Sequence, residues 1–168
     1  MTIDDCITVL ETQESMLQFE SFNRTRAWEL GTVFALAAAE KKLSVTICIR
    51  LFSGLTLFQY ACEGTNLNNE SWINRKYNTV RDLETSTLLH ALLLKKKGKT
   101  LEDKGLDPAQ YVACGGGFPI RLKDSGTIGA VLVSGLPHAE DHGLLVECIA
   151  AYLKTDNVPA LPPGECPL

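Results

Sequence analysis

The segment from Thr127 to Ser134 constrains the fold more than any other part of this 168-residue chain. It is apolar on both faces, and a strand of that kind is stable only where other elements cover it from two sides. Its expected place is the middle of a sheet. Asp124, Ser125 and Gly126 signal a turn before it. Upstream of the turn Phe118, Ile120 and Leu122 alternate with Arg121 and Lys123, so the two runs read as a hairpin. A second hairpin is expected earlier in the chain. There Val45, Ile47 and Ile49 alternate with Thr46, Cys48 and Arg50, Ser53 and Gly54 interrupt, and Leu55 to Cys62 resumes the pattern.

Helical signals occupy the intervening segments. Ile3, Ile7 and Leu10 share one face of a short helix over residues 3–16. Asn23 can accept from the free amides of a first turn, ahead of a helix predicted from Arg24 to Lys42, with Phe22 placed to staple onto Ala27. Trp72, Lys76, Thr79 and Val80 space a helix from Glu70 to Leu83, and Thr85 to Leu94 continues it or forms a second one. Pro137 suits the first turn of a terminal helix, with Glu140 and Asp141 at the positive end of its dipole and Leu144, Leu145, Cys148, Ile149 and Tyr152 as its buried stripe. Two hairpins among helices predict an α+β fold, an antiparallel sheet sandwiched between helical layers, in one domain over residues 1–153. Residues 154–168, with prolines at 159, 162, 163 and 167, read as a flexible extension.

Composition narrows the partners. Sixteen basic against twenty acidic residues give a net charge of −4, which is not the basic field that holds a nucleic acid. The acidic first thirty residues lack the pattern of a secretory signal, and the longest apolar run, Val33 to Ala39, is far short of the ~20 residues of a membrane span. The expectation is a cytoplasmic protein without a membrane partner. Its six cysteines are scattered with no C-x-x-C pair, so buried free thiols are expected.

Most apparent motifs dissolve on inspection. Gly98, Lys99 and Thr100 lack the upstream glycine and strand of a phosphate-binding loop, and Gly115, Gly116 and Gly117 lack dinucleotide spacing, which leaves a tight backbone crossing or bulge. Lys95, Lys96, Lys97 and Lys99 read as a solvated helix end. His138 and His142 are four apart and could face one metal, but no third ligand can be named, so no metal is assigned. Cys114 beside the glycines could serve as a nucleophile, although no spacing pairs it with a histidine. Trp72, Arg75 and Lys76 share a helix face; they form either a site for an anionic planar ligand or a surface patch with a stacked arginine.

Three pieces in order, Trp72 to Lys76, Gly115 to Ile120, and Ile128 to Pro137 followed by Asp141 and His142, resemble an uncharacterised branch of the GlcG/HbpS-like superfamily, over roughly residues 20–153. The resemblance implies a profilin-like or sensor-like antiparallel sheet between helices, and homo-oligomers in which dimers combine into a larger ring. Haem binding or degradation is described for the wider superfamily, so haem is the cofactor it brings to mind. Haem needs an axial ligand and an apolar slot, and the residues identify neither. Arg75, Lys76, Ser134, Asp141 and His142 match the branch's polar positions, and the ligand-binding candidates are Trp72, Arg75, Lys76, Gly116, Ser134 and His142. Arg75 and Lys76 would hold a carboxylate, Ser134 and the glycine amides would donate, and Asp141 would orient His142, the alternative being a salt-bridged subunit interface or a cap on the last helix. The expected function is a binding module for a small molecule or protein partner, with haem or another anionic planar ligand in view. The rivals are an enzyme using Asp141 and His142 as an acid–base pair on a small carboxylated or biosynthetic intermediate, and a non-catalytic oligomeric scaffold.

Overall fold

A computed structural model describes all 168 residues. Ile3–Met16 is α1 and Arg24–Glu40 is α2. β1 (Thr46–Leu51) and β2 (Thr56–Ala61) form the first hairpin, α3 (Leu67–Leu83) and α4 (Thr87–Lys96) come next, and β3 (Gly117–Arg121) and β4 (Thr127–Ser134) form the second. α5 (His138–Leu153) completes the order. The two hairpins join through β1 and β4 into one antiparallel sheet of order β2-β1-β4-β3, with Ile47 opposite Val133 and Ile49 opposite Val131. β4 therefore lies inside the sheet, as its two apolar faces predict.

The period of two sorts the side chains between layers. Ile47, Ile49, Val131, Val133, Phe118 and Ile120 point into the main core with α2 and α5. Cys48, Ala130 and Leu132 point the other way, against Ile73, Tyr77 and Val80 of α3. A third cluster packs Cys6, Ile7 and Leu10 of α1 on Leu88, Leu89 and Leu92 of α4. The α+β sandwich is thus the observed architecture, and no helix is long and apolar enough to cross a membrane.

Local chemistry sets the helix ends. Asn23 caps α2 through the Arg26 amide as expected, but Phe22 meets Phe19 edge-on at 5.1 Å, and the helix stops at Glu40. α3 starts at Leu67, three residues before the expected start, because Asn66 and Asn69 form a reciprocal capping box. Glu84 takes a left-handed conformation and Ser86 caps α4, so α3 and α4 are two separate helices. Pro137 is the residue before α5 and supplies no side-chain cap.

Residues 154–168, a flexible extension by composition, lie back along α1 and α4. Gln13 donates to the Pro159 carbonyl at 2.7 Å, Leu161 and Cys166 pack against the α1–α4 cluster, and the N-terminal amine pairs with Glu165 at 3.0 Å. Proline spacing reports backbone stiffness and is silent on such docking.

The consecutive glycines mark a close crossing. A Cβ on Gly115 would lie 1.9 Å from the His138 carbonyl oxygen; on Gly116, 2.3 Å from Lys76 Nζ; on Gly117, 2.8 Å from Val80 and Thr87. Gly116 also has φ of +116°, a conformation side chains rarely adopt. Gly116→Ala is expected to destabilise the chain by at least about 2 kcal/mol in denaturant unfolding. Gly126→Ala, where an added Cβ meets nothing within 4 Å, should change stability by under about 1 kcal/mol.

Candidate functional site

α3 and α5 lie on opposite faces of the sheet, yet one side chain from each meets the other beyond the end of β4. Lys76 is only 2% exposed, and its ammonium donates to the Val133 carbonyl and to Asp141 Oδ2, both at 2.8 Å. Asp141, also 2% exposed, accepts the Leu136 amide on Oδ1 at 2.9 Å. Burial pushes the Asp141 carboxyl above its ordinary value, against the opposing pull of Lys76 and of the Leu136 and Gly135 amides. Gly116 leaves the room in which the ammonium sits.

A cleft of about 260 Å³ opens over this pair. Trp72 and Lys76 of α3, Ser134 at the end of β4, and His138 and Asp141 of α5 line it, together with Asn68, Asn69 and Cys114. Asn69 donates to the Ser134 carbonyl at 3.3 Å and so ties the start of α3 to the end of β4. The first amide of α5, that of His138, has no acceptor in the chain. Cys114 is buried, which raises its thiol above the ordinary value although Lys76 opposes the shift. It is therefore a protonated lining group at neutral pH.

The structure brings together six of the residues singled out from sequence, Trp72, Lys76, Cys114, Ser134, His138 and Asp141, with Gly116 directly beneath Lys76. Arg75 is not among them. Its guanidinium lies over the Trp72 ring at 4.0 Å and reaches the Pro108 carbonyl at 3.4 Å, so it does not share a carboxylate with Lys76. The contact is that of a surface patch with a stacked arginine.

His142 needs the larger correction. Successive helix positions differ by about 100°, so the residue next to Asp141 points elsewhere. His142 is 2% exposed, its Nε2 meets Gln13 Oε1 at 2.8 Å, and its ring lies 6.0 Å from that of Phe118. Asp141 and His142 form no hydrogen bond to each other, so Asp141 does not orient His142, and the acid–base pair expected from their adjacency is not assembled. The imidazole at the cleft is that of the exposed His138. His138 and His142 do not converge, and no group of three metal-ligating side chains forms anywhere in the chain. Sequence reasoning missed Asn68 and Asn69, for which the Asn66–Asn69 capping spacing was the available signal.

Five cysteines are buried and all six are free thiols. Burial pushes Cys48 up to about 11 and Cys148 to about 12, so neither is a nucleophile at neutral pH.

Residues 22–150 match the family described as haem degrading protein HbpS-like. A UPF0303 protein of Rhizobium johnstonii is 44% identical over 156 residues, which covers 93% of this chain and 96% of that one. Among solved structures, the crystal structure of Ybr137w protein superposes with a TM-score of 0.81 at 30% identity, over 89% of each chain. The PduOC:heme complex superposes with a TM-score of 0.65 at 19% identity, over 78% of this chain and 94% of that one, a likeness of fold.

Burial lowers the His142 pKa from 6.5 to about 4. Between those values the unfolded chain takes up a proton that the folded chain refuses, so this contribution is whole above about pH 6.5 and is lost as pH falls to about 4. The expected loss is about 3 kcal/mol, and His90, lowered mainly by burial, adds to it with the same sign. Urea unfolding across that pH range should show the slope, and His142→Gln should flatten it.

Proposed function

We propose that this chain, which belongs to the HbpS-like family, is a binding module whose Lys76 cleft takes a small carboxylate. The observation that carries the reading is a surplus of donors around one opening. An ammonium has three N–H groups, and Lys76 uses two of them inside the chain. The Ser134 hydroxyl and the His138 amide have no partner, and Asn69 uses one of its two side-chain N–H groups. Donors in excess of acceptors suit an oxyanion, and the start of α5 adds the positive end of a helix dipole. Asp141 neutralises Lys76 in part, so recognition rests on directed hydrogen bonds more than on net charge. Trp72 offers a flat apolar wall for the body of the ligand.

Haem is the rival that the family description and the PduOC:heme neighbour favour. The residues of one chain do not fit an enclosed haem. The cleft is below the ~300–1,000 Å³ of ordinary ligand pockets, its lining is largely polar, and the buried His142 has its Nε2 engaged by Gln13. A haem reading therefore requires a surface shared between two chains, with the exposed His138 as the available imidazole.

Self-association is supported by the exposed edge strand β2 and by Trp28, Leu36 and Tyr60, which are 63%, 66% and 48% exposed. Such a face fits a homo-oligomer, whether the assembled particle binds a ligand or serves as a scaffold for protein partners.

The chain has two tryptophans, so Trp28→Phe leaves Trp72 as the sole indole reporter. Small carboxylates are expected to perturb its fluorescence saturably, and Ser134→Ala and Asn69→Ala should each weaken them about 10-fold. Silence of Trp72 at millimolar carboxylate would sink the reading. A hemin Soret shift unaffected by those two substitutions would favour the shared surface instead. In sedimentation velocity, Trp28→Glu with Leu36→Lys is expected to yield a smaller species than the unaltered chain.

A further inference from the structure

α4 uses one face, Leu88, Leu89 and Leu92, to hold α1. A second set at helical spacing, His90, Leu93, Leu94 and Lys97, of which Leu93 also touches the α1–α4 cluster, lines a cavity of about 320 Å³ that shares no lining residue with the Lys76 cleft. Leu83 from the end of α3 and Leu106 from the loop after α4 close its apolar walls, and Lys104 of the same loop joins Lys97 and His90 as its polar groups.

Those polar groups lack partners inside the chain. Lys95 bonds the Pro167 carbonyl and Lys96 pairs with Asp4, whereas Lys97 and Lys104 enter no ion pair. His90 Nε2 is buried with no hydrogen-bond partner, a costly state for a ring nitrogen unless something else supplies one. Burial first and Lys104 second disfavour a proton on that ring, which places the lysine's charge close to it. A helix end alone explains lysines that cap carbonyls. It does not explain four leucines and an orphaned imidazole nitrogen facing the same space.

We propose that this cavity is a binding site for a small amphipathic carboxylate, an acyl or aryl acid whose apolar body fills the leucine walls while its carboxylate meets Lys97 and Lys104. Charge complementarity selects the anion. A bare inorganic anion would leave the leucines uncovered, and an apolar amine would bring a third cation beside two. His90 then gains a neighbouring acceptor, and its protonation becomes easier. The site is independent of the Lys76 cleft and stands whether or not that cleft binds anything.

Octanoate is a suitable probe, with the ring resonances of His90, His138 and His142 followed by NMR on the full chain. His90 is expected to shift saturably and its titration midpoint to rise, while His142 does not move. The double variant Lys97→Ala with Lys104→Ala should weaken octanoate at least tenfold, and Lys99→Ala, outside the cavity, should leave it unchanged. Thermal unfolding of each variant checks that the fold survives. Octylamine binding as tightly as octanoate would overturn the proposal, as would an unresponsive His90 or equal octanoate affinity in the double variant.

Discussion

The contact between Lys76 and Asp141 holds the two helical layers in register. α3 and α5 belong to opposite faces of the sheet and share no core cluster, yet this buried pair joins them round its end. A buried ion pair contributes little net stability, because desolvation of both charges offsets their attraction; loss of one partner alone typically costs about 3–5 kcal/mol. Its effect here is geometric. Four further features converge on it: the absent side chain of Gly116, the Val133 carbonyl, the Leu136 amide and the uncapped start of α5.

That geometry also creates the cleft. Sheet ends leave carbonyls and amides without ladder partners, and a helix that begins after a proline leaves its first amides open. In this chain side chains meet the groups at the sheet end, Lys76 on the Val133 carbonyl and Asn69 on the Ser134 carbonyl, and the open His138 amide faces the same small volume, next to an ammonium with a donor to spare. The chemistry comes from backbone ends as much as from side chains, so a scan for familiar catalytic spacings finds nothing there. The cavity beside α4 obeys a different rule: apolar walls carry two unpaired cations and an orphaned imidazole nitrogen.

The fold was more legible than the site. Period-two alternation located both hairpins, and the doubly apolar run from Thr127 to Ser134 placed its strand inside the sheet, since burial on two faces leaves few other solutions. Helix ends were harder where a cap consists of two asparagines, as at Asn66 and Asn69, or where a left-handed residue such as Glu84 divides one periodic stretch into two helices. Trp72 and Lys76 were found because helical spacing puts them on one face. Arg75 shares the same spacing and instead stacks on the indole.

The sequence by itself determined which segments are strands and helices and which faces they bury, because hydrophobic period and backbone preference act over a few residues. Only the tertiary structure decided which charges meet. Lys76 and Asp141 stand 65 positions apart, and His142 and Gln13 stand 129 apart. Neighbours along a helix, such as Asp141 and His142, are turned about 100° from one another by its pitch. Adjacency in the chain therefore misleads at the site, where burial, desolvation and the path of the sheet end set the partners.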